Sequence, residues 1–125
     1  MKVLVSDLIL LGEVQKQGLL AAFIGLPYEI YMTCFLYEDL KQESYFCCID
    51  DGCIEIVHFD AHEMEDVEKT FGYHPHITVK DAAALVAAVN VGCILISRSA
   101  PVRAVAKKMG VRCEPLPWSL SEVKK

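Results

Sequence analysis

Three acids stand where side chains could hold a metal ion. Asp7 directly follows the apolar run Val3-Leu4-Val5-Ser6, Asp39 comes late in the segment after Thr33, and Asp81 opens Asp81-Ala82-Ala83-Ala84-Leu85. Each lies beside core-like sequence, unlike Glu63, Glu65, Asp66 and Glu68, which read as a solvated helix face. Converging carboxylates suit hard cations such as Mg2+ or Mn2+, which take oxygen ligands and keep several waters. An ion held that way can activate a water and stabilise charge developing at a phosphate. Asp7 and Asp81 also have a plainer reading as helix N-terminal acids, favoured by capping and by the helix dipole. Asp39 does not suit that reading, because late in a helix an acid meets the unfavourable end of the dipole.

Other reactive residue types form weaker patterns. Arg98, Arg103, Lys107, Lys108 and Arg112 are the basic concentration before the C-terminal tail. Arg98 and Arg103, close to a strand end, could hold phosphates. Lys107 and Lys108 read as cations near a helix C-terminus, which the dipole favours. His74 and His76 flank Pro75. Such a pair could ligate a transition metal, but with no third ligand nearby it reads as a polar loop. The cysteines, Cys34, Cys47, Cys48, Cys53, Cys93 and Cys113, form no pair of C-x-x-C knuckles. They read as reduced thiols rather than a zinc site. Ser97 and Ser99 lack the glycines of a hydrolase elbow, and no glycine-rich phosphate loop follows the first strand.

The elements that must position these residues are short apolar strands alternating with helices. Met1–Ser6 reads as a buried strand and Leu8–Ile24 as apolar residues at helical spacing. Glu29–Met32 is a second strand, and Thr33 an N-cap for the helix that carries Asp39. Tyr45–Ile49 and Cys53–Phe59 predict a small hairpin through Asp50-Asp51-Gly52. Asp60 with Glu63 predicts a capping box on a helix to about Phe71. Asp81–Val91 is a helix ended by Gly92, Cys93–Ser97 a strand, and Ser99 with Pro101 starts a helix ended by Gly110. Val111–Glu114 is a last strand. The expectation is an α/β fold of three layers (α/β/α), with a mostly parallel sheet, helices on both faces and a hairpin insertion. In such sheets ligands bind at the carboxyl ends of the strands. One domain over residues 1–114 and a tail over 115–125 are expected.

Composition narrows the function classes. With 125 residues, there is room for one domain. The net charge of −5 argues against a general nucleic-acid binder. It leaves room for a nuclease whose acidic site is neutral only once metal binds. Hydrophobic residues make up 54%, and the mean hydropathy is +0.33. That content suits a sheet buried on both faces and leaves apolar surface for a dimer or partner. Leu10, Leu11, Leu19, Leu20, Phe23 and Ile24 exceed what one helix face needs. No stretch reaches the ~20 apolar residues of a membrane span, and the start does not read as a secretory signal. A cytoplasmic protein is expected.

At these residues the chain resembles the PIN-domain family, from Val3 to about Val111. The resemblance rests on three motifs and a closing helix. The first is Val3-Leu4-Val5-Ser6-Asp7-Leu8-Ile9-Leu10-Leu11, the second Thr33-Cys34-Phe35-Leu36-Tyr37-Glu38-Asp39-Leu40. The third is Asp81 through Gly92 and Cys93-Ile94-Leu95-Ile96, and the closing helix ends at Gly110-Val111. The resemblance implies a PIN-like fold and a Mg2+- or Mn2+-dependent ribonuclease acting on single-stranded RNA. In small members it also implies a toxin paired with an antitoxin, and a homodimer. It makes Asp7, Asp39 and Asp81 the metal ligands and catalytic acids, with Glu38 as the alternative to Asp39. Where the family's first Asp is followed by Thr-Asn, this chain has Leu8-Ile9, and Asp39 stands for the usual Glu. The fourth acid of a Thr-x-Asp pattern is replaced in Ser97-Arg98-Ser99, which puts Ser97 and Ser99 at the periphery of the site.

Overall fold

The structure, a computed structural model, describes residues 2–7, 12, 16, 29–44, 46, 52 and 54–114. Its strands are β1 (Lys2–Val5), β2 (Glu29–Thr33), β3 (Ile54–Val57), β4 (Ile94–Ile96) and β5 (Cys113–Glu114). Its helices are α1 (Cys34–Leu40), α2 (Ala61–Tyr73), α3 (Val79–Val91) and α4 (Ala100–Lys108). The five strands form one sheet in the order β3-β2-β1-β4-β5. Every neighbouring pair is parallel. The three-layer α/β/α expectation therefore holds.

Burial explains why the strands read as continuous apolar runs. Successive side chains of a strand point to opposite faces, yet Val3, Leu4 and Val5 are all buried. Leu4 and Leu95, paired in register, belong to a cluster with Val67 of α2, the alanines and Leu85 of α3, and Val102 and Ala106 of α4. Val3, Val5, Ile30, Met32 and Ile96 are equally buried outside that cluster. The sheet is thus covered on its second face, as an all-parallel sheet requires.

The local start and stop signals hold. Thr33 Oγ1 accepts from the Leu36 N–H at 3.2 Å. Asp60 and Glu63 form the expected capping box on α2. Ser99 Oγ accepts from the Val102 N–H at 3.4 Å. Gly92 has φ 79° and Gly110 φ 73°, the left-handed region that glycine adopts without a Cβ clash.

One expectation is corrected, and others fall outside the described residues. The predicted hairpin lies largely outside the described residues; the part of its second strand that is described is β3, which pairs parallel with β2, Ile54 against Ile30 and Ile56 against Met32. The Phe46 N–H donates to the Glu43 carbonyl, and its ring sits edge-on to Tyr37 of α1 at 5.7 Å. Phe46, after α1, thus packs back onto that helix. Helix α3 starts at Val79, not Asp81, because Thr78 is its N-cap. The predicted helix over Leu8–Ile24 lies almost wholly outside the described residues, of which Gly12 and Lys16 are helical. The predicted 115–125 tail lies outside them too.

Burial also sets the chemistry of Cys93, at the start of β4. Its removal from water pushes the thiol up from 9.0 to about 11, against a smaller lowering by Lys2. The folded state therefore holds this proton more tightly than the unfolded one. That contribution to stability is complete below pH 9 and is lost as pH rises through about 11. Thermal unfolding between those pH values should fall more steeply for wild type than for Cys93→Ala.

Candidate active site

The chain leaves β1 toward β2 on one side and, much later, adds β4 on the other side of β1. Connections diverge at the carboxyl ends of β1 and β4, and such a switch point is where open α/β sheets bind ligands. Asp7 lies two residues past β1 at this point. The Ser6 hydroxyl donates to the Ile96 carbonyl at 3.0 Å and ties this end of β1 to β4. Across the gap Arg98 Nε lies 3.9 Å from Asp7 Oδ2, with the side chains 34% and 24% exposed. Both remain within reach of a ligand from solvent.

Ser97 and Ser99 shape the loop between Asp7 and α4. Ser97 is buried, and its hydroxyl accepts from the Ser99 N–H at 3.1 Å. Ser99 caps α4. The position of the expected fourth acid is thus occupied by a helix cap.

Asp39 sits one residue before the end of α1, and its Oδ2 accepts from the Lys80 ammonium. Lys80 is the second residue of α3, which ends just before β4 and so runs toward the amino ends of the strands, leaving its start at their carboxyl ends. The Asp39–Lys80 contact brings the end of α1 to the start of α3. Glu38 points elsewhere: it pairs with Lys41 at 3.1 Å, and its side chain is 70% exposed. Of these two acids, Asp39 is the one turned toward α3.

Asp81, beside Lys80, is the third residue of α3 and completes a capping box. Its Oδ2 accepts from the Thr78 N–H at 3.1 Å, while its own N–H donates to Thr78 Oγ1 at 3.1 Å. The plainer reading of Asp81 as a helix-start acid is realised. A carboxylate accepting one such bond keeps further lone pairs for another ligand.

Each acid thus has a contact of its own: Asp7 with Arg98 of the loop after β4, Asp39 with Lys80, and Asp81, the sequence neighbour of Lys80, with Thr78. Among the described residues, no three His, Cys, Asp or Glu side chains stand together as a metal-binding group. The donors are hard carboxylate oxygens, and Asp7 and Asp39 each already attract a protein cation. In donor chemistry they fit Mg2+ or Mn2+; in position, two protein cations stand among them. Lys80 is the residue that sequence reasoning missed. Its signal was a lysine in the first turn of a helix, where the dipole disfavours a cation.

The remaining sequence candidates lie on the surface around α4. Arg103 and Lys107 line a groove of about 470 Å³ with Ala100, Ala104, Val111 and Cys113. Lys107 and Lys108 fall in the last turn of α4, as the dipole favours. Arg112 pairs with Glu114 at 2.7 Å. His74 and His76 lie in the loop between α2 and α3, against α4. No described helix is long and apolar enough to cross a membrane.

No protein-family model matches the chain, and no curated protein does. Solved structures do match. A PilT N-terminus domain protein from the hyperthermophilic archaeon Sulfolobus solfataricus superposes with a TM-score of 0.65 at 15% identity, over 98% of this chain and 93% of that one. A protein of Pyrobaculum aerophilum gives 0.67 at 14% identity, over 99% and 90%. VapBC-1 from nontypeable Haemophilus influenzae gives 0.62 at 11% identity, over 93% and 98%. The fold is the one these proteins share, down to nearly full-length coverage of both chains.

Proposed function

We propose, with the PIN-like fold as the premise, that this protein is a divalent-metal-dependent endoribonuclease that hydrolyses phosphodiester bonds in single-stranded RNA. The observation that carries the proposal is the position of Asp7 at the β1/β4 switch point, with Asp39 and Asp81 at the same end of the sheet. Asp7, Asp39 and Asp81 would hold Mg2+ or Mn2+, which supplies an activated water and stabilises charge at the phosphate. Glu38, turned to solvent and paired with Lys41, is the weaker alternative to Asp39. Arg98, beside Asp7, would hold an RNA phosphate and set the strand over the carboxylates; Arg103, one turn along α4, would hold the next. Such contacts position the chain without reading its bases. Ser97 and Ser99 fix the loop that carries Arg98.

The same reading makes the protein a cytoplasmic toxin-type nuclease with an antitoxin-like protein partner, working as a homodimer. Apolar surface supports a partner: Tyr73 is 79% exposed, and Phe71, Val79 and Val89 are exposed as well. The test is cleavage of a single-stranded RNA by purified protein with Mg2+, Mn2+ or EDTA. Cleavage with either metal, abolished by EDTA, supports the proposal; no cleavage with both metals rejects it.

A second reading is a PIN-like scaffold of weakened activity that binds a protein or RNA. It is favoured by the partners the acids already have and by the cap at Ser99. Ser99→Asp separates the two readings. Aspartate caps a helix as well as serine does, and it adds a carboxylate to the loop whose Arg98 approaches Asp7. A working metal site should gain roughly tenfold in Mn2+ affinity from the added charged ligand. A scaffold without such a site should gain nothing.

A further inference from the structure

Asp39 and Lys80 are both placed against the dipole of their own helix. Asp39 is an acid in the last turn of α1, which has no basic residue there. Lys80 is a cation in the first turn of α3, whose dipole is already served by Asp81. Helix stability favours the opposite charges at both positions. What the two gain is each other, in a contact between residues 41 positions apart. No other partner on α1 explains the arrangement, because Glu38 is taken by Lys41.

We propose that Lys80 is a resident counter-ion that competes with the divalent metal for Asp39, so that loading the site means exchanging the lysine ammonium off this carboxylate. The inference rests on the reading above that Asp39 is a metal ligand. The pair is well suited to exchange. Its side chains are 55% and 42% exposed, so water can receive the released ammonium. Exposed pairs of this kind are only weakly stabilising, so a doubly charged ion can displace one. A fixed positive charge a few ångströms from the ion opposes its entry even after exchange. Lys80 thereby raises the metal concentration at which the site fills. With no metal bound, it keeps the Asp39 carboxylate neutralised.

The test is Mn2+ binding to the full chain, followed by calorimetry and by paramagnetic broadening, for wild type, Lys80→Gln, Asp39→Asn and the double variant. Thermal unfolding in EDTA establishes that each variant is folded. Lys80→Gln should bind Mn2+ roughly threefold to tenfold more tightly than wild type. Asp39→Asn should bind more weakly, and most of the gain from Lys80→Gln should vanish in the Asp39→Asn background. Equal affinity of wild type and Lys80→Gln would overturn the competition while leaving the metal site standing. A gain that persists in full without Asp39 would reduce Lys80 to a general charge effect and overturn it as well. No Mn2+ binding by any variant would reject both the competition and the metal reading beneath it.

Discussion

Asp7→Asn is expected to lower metal-dependent cleavage of single-stranded RNA at least about 100-fold, since losing even a supporting contact around a metal costs ~10–100-fold. The substitution keeps the size of the side chain and removes its charge. It also weakens the approach of Arg98, 3.9 Å away. That pair is partly exposed, so stability should change by no more than about 1 kcal/mol. The measurement is cleavage at saturating Mn2+ together with thermal unfolding in EDTA. Loss of cleavage at unchanged melting temperature assigns Asp7 to the chemistry. Cleavage near the wild-type rate would remove Asp7 from the site and undo the proposed mechanism.

The largest expected effect on stability is at Leu85. This residue is fully buried on α3, within the cluster shared by α2, α3, α4 and the sheet. Its neighbours on the helix are Ala82, Ala83, Ala84, Ala87 and Ala88, all buried. Alanines let α3 lie close to the sheet, and Leu85 is the large side chain among them. Leu85→Ala leaves a cavity that neighbours this small have little side chain to fill. The expected cost is ~2–5 kcal/mol, which lowers the melting temperature by roughly 10 °C or more. Urea unfolding measures it. A loss under about 1 kcal/mol would mean that the cluster collapses into the space and is less tightly packed than described.

The helix boundaries were legible in the sequence because their signals are local. Thr33, the Asp60–Glu63 pair, Ser99 and Gly92 each act within a few residues of the backbone groups they satisfy. The parallel sheet was legible for a related reason: Val3-Leu4-Val5 and Ile94-Leu95-Ile96 are apolar without alternation, the pattern of strands covered on both faces. The predicted hairpin lies largely outside the described residues, and Asp-Gly speaks only for the chain around it. The pairing of β3 with β2, and the packing of Phe46 on Tyr37, are tertiary choices. Asp39 shows the same limit at the site. Its position against the helix dipole was visible, but its partner lies 41 positions away and only the fold brings the two together. Asp81 was assigned a place at the start of its helix correctly in kind, and the cap at Thr78 moved that start two residues earlier.

The place of β1 in the middle of the sheet has a consequence for the timing of folding. Of the described strands, the one made first is the one that needs neighbours on both sides, and its second neighbour is β4. Ser6 and Ile96, which join these strands, are 90 positions apart. At synthesis rates of about 5–20 residues per second, the nascent β1 waits roughly five to twenty seconds for β4 to be made. A sheet closed by contacts so distant in sequence has high contact order, and refolding of the free chain should be slower than that of a helical bundle of equal length. Of the described strands, the one that leads into Asp7 is thus the earliest made and among the last completed, and the candidate site cannot assemble before β4 exists.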